Sequence, residues 1–233
     1  VCGGAPLNPE MVQRFASFGI SIAEGYGITE CSPVIAVAPF EHIRLKSCGL
    51  VLPNLQCYID RDDPRDETGE IVVKGDSIML GYYKNPEATA EVLDSHGWFR
   101  TGDCGYMDAD NYLYITGRKK NVIVLNNGKN VFPEEIEEYL ENIDLIKECT
   151  VVGRRSKADD TVNVTAVIYP DYDAAEAAGL KSEYDIEEHF KKAVAELNKN
   201  IASFKQIRGV EVRKTPFPKT TTQKIQRHKI DKE

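Results

Sequence analysis

Apolar and polar positions alternate along this chain in two distinct rhythms. Between residues 186 and 201 the apolar side chains are spaced by four, four, three and four, which predicts an amphipathic helix over about residues 184–204. A second helix is predicted from Pro133, with Ile136 and Leu140 on its apolar face. Residues 33–84 instead carry short apolar runs separated by turn residues, a spacing typical of a small antiparallel sheet or barrel. The pattern therefore predicts an α+β protein whose β-rich part precedes a smaller α+β part.

Shorter signals define the beginning of the chain. Asn8 followed by Pro9 predicts a capped helix that reaches about Phe18. In the same way, Asn85 followed by Pro86 predicts a capped helix that reaches about Leu93. A short strand is predicted at residues 20–23, followed by a glycine-containing turn over residues 24–30. Glycines in such a turn allow the backbone to approach a ligand closely, but most turns of this composition only reverse the chain. Taken alone, this segment is a weak functional signal.

The stretch from residue 101 to residue 133 combines an acid with a cationic break. Thr101-Gly102-Asp103 is predicted to form a tight turn, and an apolar strand is predicted at residues 112–115. A Gly-Arg-Lys-Lys sequence at residues 117–120 separates that strand from another at residues 122–125. This punctuation indicates a ligand site and a domain boundary in one segment.

The charge distribution also changes at Arg118. Residues 1–117 contain 8 Lys or Arg against 17 Asp or Glu, whereas residues 118–233 contain 21 against 20. Residues 205–232 carry nine basic and two acidic side chains, so their field attracts a polyanion such as a nucleotide. A solvated basic tail explains the same composition equally well. Charge alone therefore leaves both interpretations open.

Composition excludes several classes of protein. The 233 residues are 42% hydrophobic and 28% charged, as in ordinary globular proteins, and the apolar runs are too short to cross a bilayer. The six cysteines lack paired spacing, which argues against a zinc site or a disulfide framework. We expect a cytoplasmic protein with reduced thiols and no nucleic-acid partner, while peripheral membrane contact stays open. Because the chain begins at Val1 without a methionine or a leader, we expect a piece of a longer protein.

Four segments in order carry a family resemblance. They read GGAPL at residues 3–7, GYGITE at 25–30, TGD with GRKK at 101–120, and PKTTTQK at 218–224. In these segments the sequence resembles the carboxyl-terminal half of the AMP-forming adenylating enzymes, which include acyl-CoA synthetases, firefly luciferase and peptide-synthetase adenylation domains. The run GKNVFPEEIE at residues 128–137 is most similar to fatty acyl-CoA synthetases. The resemblance implies that residues 1–117 end a large domain and that residues 118–233 form a mobile carboxyl-terminal domain.

The resemblance also implies a reaction. Such enzymes join a carboxylic acid to ATP, giving an acyl adenylate and pyrophosphate, and the thiol of coenzyme A then displaces AMP. The implied ligands are ATP or AMP, Mg²⁺, coenzyme A and a carboxylic acid, here a medium- or long-chain fatty acid. An aryl- or amino-acid-activating ligase is the alternative within the superfamily. A non-catalytic nucleotide-binding or interaction module is the alternative from another class.

Residue roles follow from matching the motifs position by position. The resemblance implies that Thr29 contacts phosphate and that Glu30 binds magnesium. It implies that Asp103 accepts both ribose hydroxyls, a task suited to an ionised carboxylate with two oxygens. The remaining nucleotide-binding positions implied by the motifs are Gly4, Ala5, Pro6, Tyr26, Gly27 and Arg118.

Two lysines receive separate roles in the family pattern. Lys224 is implied to bridge the substrate carboxylate and the α-phosphate during adenylation only, and a long flexible stem suits a transient contact. Lys120 falls at the hinge position, and Gly128 at the loop that lines the route of the pantetheine thiol. Without the neighbouring motifs, both lysines would be read as ordinary surface charges.

The chain departs from the family pattern in two places. Gln223 stands immediately before Lys224, where the family usually has glycine. In addition, no Gly-, Ser- and Thr-rich phosphate loop occurs in the 233 residues. We therefore expect the chain alone not to catalyse adenylation.

Overall fold

The computed structural model describes residues 1–5, 7–156, 160–221 and 223–232, and it divides into two compact units, Val1–Lys120 and Asn121–Glu233. Each unit has its own buried apolar cluster. The mixed α+β architecture confirms the predicted class. Within the described residues, no helix combines the length and apolar character needed to cross a membrane.

The first unit contains eight strands and two helices. The strands are β1 (Cys2–Gly3), β2 (Glu24–Gly27), β3 (Val34–Val37), β4 (Gly49–Val51), β5 (Leu55–Asp60), β6 (Gly69–Gly75), β7 (Phe99–Met107) and β8 (Tyr112–Arg118). The helices are α1 (Pro9–Ser17) and α2 (Pro86–Val92). The strands form one sheet in the order β1-β2-β3-β4-β8-β7-β6-β5. The predicted β-rich part is thus continuous with the strands that precede it.

Local sequence explains the helices of this unit. The Asn8 side chain accepts a hydrogen bond from the Glu10 N–H at 2.9 Å, and Pro9 occupies the first turn of α1. Asn85 caps α2 in the same way, through the Ala88 N–H at 3.1 Å. Both helices begin where the sequence predicted them, because capping depends only on neighbouring residues.

Two predictions for the first unit are wrong. Residues 20–23 form no strand; the strand lies at Glu24–Gly27, inside the predicted glycine turn. Glycine is required at position 27 because a Cβ there would lie 2.0 Å from the carbonyl oxygen of Pro33, the residue just before β3. Thr101-Gly102-Asp103 is likewise not a turn but part of β7. In both places glycine permits close strand pairing or a bulge rather than chain reversal.

The second unit packs helices on one face of a three-stranded sheet. The strands of the whole unit are β9 (Ile123–Val124), β10 (Asn130–Val131), β11 (Ile146–Arg155), β12 (Val162–Pro170) and β13 (Gly209–Val212). Its helices are α3 (Pro133–Leu140), α4 (Tyr172–Ala177) and α5 (Glu183–Leu197). Strand β12 pairs antiparallel with β11 and parallel with β13, while β9 and β10 form a separate hairpin. Strand β11 is therefore an end strand of its sheet.

The long helix is shorter than predicted. Helix α5 begins at a capping box formed by Ser182 and Asp185, and it ends at Leu197 instead of near residue 204. Residues 198–200 and 203–205 form separate 3₁₀ turns. The Asn198 side chain accepts from the Ile207 N–H at 2.9 Å and donates to the Ile207 carbonyl at 2.9 Å, an arrangement that redirects the chain. Apolar periodicity alone did not predict this interruption.

Most of the cysteines lie in the interior of the protein. All six are free thiols; Cys31, Cys48, Cys104 and Cys149 are buried, Cys57 is half-buried and Cys2 is exposed. Burial raises the pKa of the Cys31 and Cys48 thiols to about 12 each. These thiols are inert structural groups at neutral pH.

Candidate functional site

The candidate site of the first unit includes the ends of two short parallel strands. Cys2 pairs with Glu24 and Gly3 with Gly25, so the carboxyl ends of β1 and β2 lie side by side. Gly4 and Ala5 directly follow β1, and Tyr26 and Gly27 end β2. Pro6 lies outside the described residues. Ligands in α/β proteins commonly bind beyond the carboxyl ends of parallel strands, so this edge is a candidate binding position.

Asp103 is a buried acid that contacts β2 through Tyr26. Its Oδ2 accepts a hydrogen bond from the Tyr26 hydroxyl at 2.7 Å, and its Oδ1 forms an ion pair with Arg118 Nε at 2.7 Å. Only 5% of Asp103 is exposed, whereas 47% of the Arg118 side chain is exposed. The structure therefore joins three predicted site residues from three strands around one carboxylate.

Burial and the neighbouring acid fix the chemistry of Tyr26. The residue is 8% exposed, and burial followed by the charge of Asp103 raises the pKa of its phenol far above the ordinary value. The hydroxyl therefore stays protonated and acts as a donor to Asp103.

A bulge in β7 directs Asp103 toward its partners. Between the pairs Val72–Arg100 and Glu70–Cys104, β7 contains more residues than β6, and Gly102 adopts φ +70°. The Glu70 carboxylate accepts from the Gly102 N–H at 3.2 Å and pairs with Lys119 Nζ at 2.8 Å. Glu70 thus contacts the residue before Asp103 and the residue after Arg118.

Thr29 and Glu30 lie just beyond β2 in a 3₁₀ turn. Thr29 is exposed, and the Glu30 Oε1 accepts a hydrogen bond from the Tyr82 hydroxyl at 3.0 Å. No group of three His, Cys, Asp or Glu side chains suited to a metal occurs in the described part of the chain. Proteins often hold Mg²⁺ through one or two carboxylates together with substrate phosphates, so a single Glu30 carboxylate fits that ion.

Lys120 is the last residue of the first unit and lies in the 3₁₀ turn Lys119–Asn121. Its side chain is exposed, while its neighbour Lys119 is paired with the buried Glu70. The change of unit falls after Lys120, two residues beyond Arg118. The chain therefore leaves the first unit at the cationic sequence GRKK.

Lys224 and Gly128 belong to the second unit. Lys224 is exposed and follows a tight reversal in which the Gln223 N–H donates to the Thr220 carbonyl at 3.0 Å. Gln223 itself has φ +64°, a conformation that favours glycine. Gly128, at φ +77°, lies between β9 and β10 beside an open cleft of about 250 Å³ lined by Asn126, Asn127 and Arg208 among others.

The sequence did not reveal the residues that hold the candidate site residues in place. Tyr82 contacts Glu30 from 52 positions away, and Glu70 reaches Gly102 across 32 positions. Arg227 contacts Glu137 across 90 positions. No local pattern signals such contacts, because the partners meet only through sheet pairing and tertiary packing.

Family models match both parts of the chain. The model of AMP-binding enzymes matches residues 1–83, and the model of the AMP-binding enzyme C-terminal domain matches residues 120–233. The chain belongs to the AMP-binding enzyme family and carries its C-terminal domain.

Curated relatives include two kinds of CoA ligase. A long-chain-fatty-acid–CoA ligase of Mycobacterium bovis is 39% identical over 153 residues, which cover 66% of this chain and 24% of the relative. A feruloyl-CoA synthase of an Amycolatopsis species is 35% identical over 159 residues, 66% of this chain and 32% of the relative. The chain thus spans about a quarter to a third of these relatives.

Solved structures share the fold over nearly the whole chain. MatB of Rhodopseudomonas palustris, bound to ATP, superposes with a TM-score of 0.76 at 29% identity, covering 97% of this chain and 43% of that one. The anthranilate CoA ligase AuaEII in complex with anthranoyl-AMP gives a TM-score of 0.80 at 25% identity, with coverages of 99% and 43%. Both likenesses include the first and the second unit.

Proposed function

We propose that the whole protein is an AMP-forming acyl-CoA ligase that activates a medium- or long-chain fatty acid. The observation that carries this proposal is the Tyr26–Asp103–Arg118 arrangement at the sheet edge. An ionised, buried carboxylate with two well-positioned oxygens suits a ribose diol, and the half-exposed guanidinium beside it suits a phosphate. The named CoA ligases among the relatives support the same class of reaction.

In the first half-reaction, a carboxylate oxygen of the acid attacks the α-phosphorus of ATP and pyrophosphate leaves. Asp103 orients the ribose, and Arg118 contacts the ribose and phosphate. Thr29 binds phosphate, and Gly4, Ala5, Pro6, Tyr26 and Gly27 border the adenine. Lys224 places its ammonium between the two anions, which repel each other until a cation compensates their charge. Bound at Glu30, Mg²⁺ would supply additional compensation of the phosphate charge.

In the second half-reaction, the thiol of coenzyme A attacks the acyl carbonyl carbon and AMP leaves. We propose that the carboxyl-terminal domain turns about Lys120 between the two steps, so that Lys224 withdraws and the Gly128 loop borders the thiol's route. The open loop at Gly128 supports this role, because a Cβ there would meet no atom within 4 Å. The expected cytoplasmic location stays a prediction.

An aromatic acid is the second candidate substrate. The feruloyl-CoA synthase relative is 35% identical, close to the 39% of the fatty-acid ligase, and the matched segments cover similar shares of the chain. Residues that bind the nucleotide do not discriminate between acids, so the candidate site favours neither substrate. Comparing fatty, aryl and amino acids in one assay separates these possibilities.

The test is acid-dependent exchange of pyrophosphate into ATP by the whole protein. We expect exchange with a fatty acid, and we expect Lys224→Ala to lower it by about 100-fold or more, as for removal of a transition-state donor elsewhere. Lys229→Ala, at an exposed lysine near the carboxyl terminus, is the matched control. AMP binding by the wild-type protein without any acid-dependent exchange would instead favour a nucleotide-binding module. The 233-residue chain alone should show no exchange.

A further inference from the structure

Two side chains form hydrogen bonds to the outer edge of the sheet in the second unit. Strand β11 pairs only with β12, which leaves one edge without a neighbouring strand among the described residues. Both backbone groups of Val151 have hydrogen-bond partners at this edge. The Val151 N–H donates to Glu137 Oε1 at 2.6 Å, and the Val151 carbonyl accepts from Arg227 Nη1 at 3.0 Å. Satisfied edge groups are expected in a stable sheet.

Arg227 also belongs to a polar network at that edge. Its Nη1 donates to Thr150 Oγ1 at 2.8 Å, its Nη2 pairs with the Glu137 carboxylate, and Thr150 Oγ1 donates to Glu137 Oε1 at 2.8 Å. The side chains of Arg227 and Glu137 are 23% and 14% exposed. The guanidinium is therefore held by several directional contacts in a largely desolvated position, where a flexible single contact would not replace it.

The segment between Arg227 and Lys224 is a rigid connection. Lys219 and Ile225 form an antiparallel bridge, and the Gln226 N–H donates to the Pro218 carbonyl at 2.8 Å. The Thr220 N–H donates to the Lys224 carbonyl at 2.8 Å, and the Lys224 N–H donates to Thr220 Oγ1 at 3.1 Å. We call residues 217–221 and 223–227 the lysine hairpin. A shift of Arg227 would therefore reach Lys224 through this hydrogen-bonded backbone.

The other arm of the lysine hairpin has a separate attachment. The Glu148 carboxylate accepts from the Phe217 N–H at 3.0 Å and pairs with Lys219 Nζ at 2.7 Å. Phe217 and Ile230 are buried against Val167, on a cluster distinct from the main core of this unit. Because these contacts hold the incoming arm, loss of the Arg227 contacts would displace the outgoing arm without releasing the whole segment.

We propose that Arg227, held by Glu137 and Thr150, is a positioning residue for Lys224. It fixes the outgoing arm of the lysine hairpin to the edge of β11. The Lys224 side chain, with its ammonium group, therefore extends from a backbone reversal that is already formed. The inference rests on the proposed role of Lys224 in adenylation. A role restricted to edge closure would affect both half-reactions alike, whereas a positioning role affects only the step that uses Lys224.

The two half-reactions of the whole protein distinguish these roles. Arg227→Lys keeps the charge but loses the planar fork, and we expect acyl-adenylate formation to fall by about 10- to 100-fold, as when a reacting group is displaced by about 1 Å. Transfer of the acyl group from supplied acyl adenylate to coenzyme A should stay within about twofold of wild type, since Lys224 takes no part in it. Glu137→Gln should show the same split with a smaller effect.

Arg154, which lies on β11, provides a matched control. Its guanidinium contacts Glu211 through two hydrogen bonds of 3.0 Å each, and neither of these bonds involves the lysine hairpin. Arg154→Lys should leave both half-reactions unchanged. Equal losses of both half-reactions in Arg227→Lys and Glu137→Gln, or no loss in either, would overturn the positioning role. No adenylate formation by the wild-type protein would overturn the proposed function, and intact adenylate formation in Lys224→Ala would overturn the role of Lys224. If Lys224→Ala abolishes adenylate formation while Arg227→Lys does not lower it selectively, only the positioning role fails.

Discussion

At the scale of single residues, Gln223 shows how a departure from a motif can be accommodated. Its backbone has φ +64°, the conformation that glycine adopts freely and that costs other residues about 1–2 kcal/mol. The sequence identified the missing glycine but not its consequence. The structure keeps the tight reversal and accepts the strained backbone immediately before Lys224.

This strain predicts opposite effects of two substitutions in the whole protein. Gln223→Gly should keep or raise the rate of acyl-adenylate formation, because glycine adopts the reversal without strain. Gln223→Val should lower that rate by about tenfold, since a β-branched side chain strongly disfavours this conformation. Single-turnover measurement of the adenylate checks both variants.

Asn111 offers a control for strain alone. It has φ +65° in the turn between β7 and β8, far in sequence from the lysine hairpin. Asn111→Val should lower the unfolding midpoint without slowing adenylate formation in the folded protein. A Gln223→Val protein as active as wild type would show that the reversal does not position Lys224.

At the scale of elements, the strand β2 depends on two glycines with different surroundings. A Cβ on Gly27 would lie 2.0 Å from the Pro33 carbonyl oxygen and 2.9 Å from the Val34 Cα, so backbone would have to move. A Cβ on Gly25 would meet nothing closer than 3.3 Å, at the end of the Val1 side chain. The two positions therefore form a matched pair within one strand.

Gly27→Ala should destabilise the protein by roughly 2–3 kcal/mol, as overpacking against immovable atoms does, and should weaken ATP binding by displacing Tyr26. Gly25→Ala should cost less than about 1 kcal/mol. Urea unfolding and ATP titration of the two variants check this difference. Equal stability and equal ATP affinity would mean that β2 and β3 separate easily and that this strand does not fix the site.

Elements also show which features sequence reasoning can reach. The capped starts of α1 and α2 were correctly predicted, because Asn8 and Asn85 act on residues two or three positions away. The bulge at Gly102 was taken for a turn, because glycine permits both and only the pairing with β6 decides between them. Contacts such as Glu70 with Lys119 arise from sheet order, which the local pattern does not encode.

At the scale of the whole molecule, motif order predicted more than any single motif. The segments around Tyr26, Asp103 and Lys224 were each of modest specificity, yet their order led to the family that the two models match. The structure brings Tyr26, Asp103 and Arg118 together in the first unit, as a shared nucleotide site requires. Gly128 and Lys224 lie in the second unit, so their part in the reaction is a prediction about the whole protein.

In the proposed reaction, an oxygen atom of the acid's carboxylate becomes bonded to the α-phosphorus and leaves with AMP. The most direct measurement follows ¹⁸O from a labelled fatty-acid carboxylate through one complete turnover of the whole protein with ATP and coenzyme A. We predict AMP that carries one ¹⁸O atom and a thioester that retains the other. Unlabelled AMP, or ADP as the nucleotide product, would contradict adenylation by this enzyme.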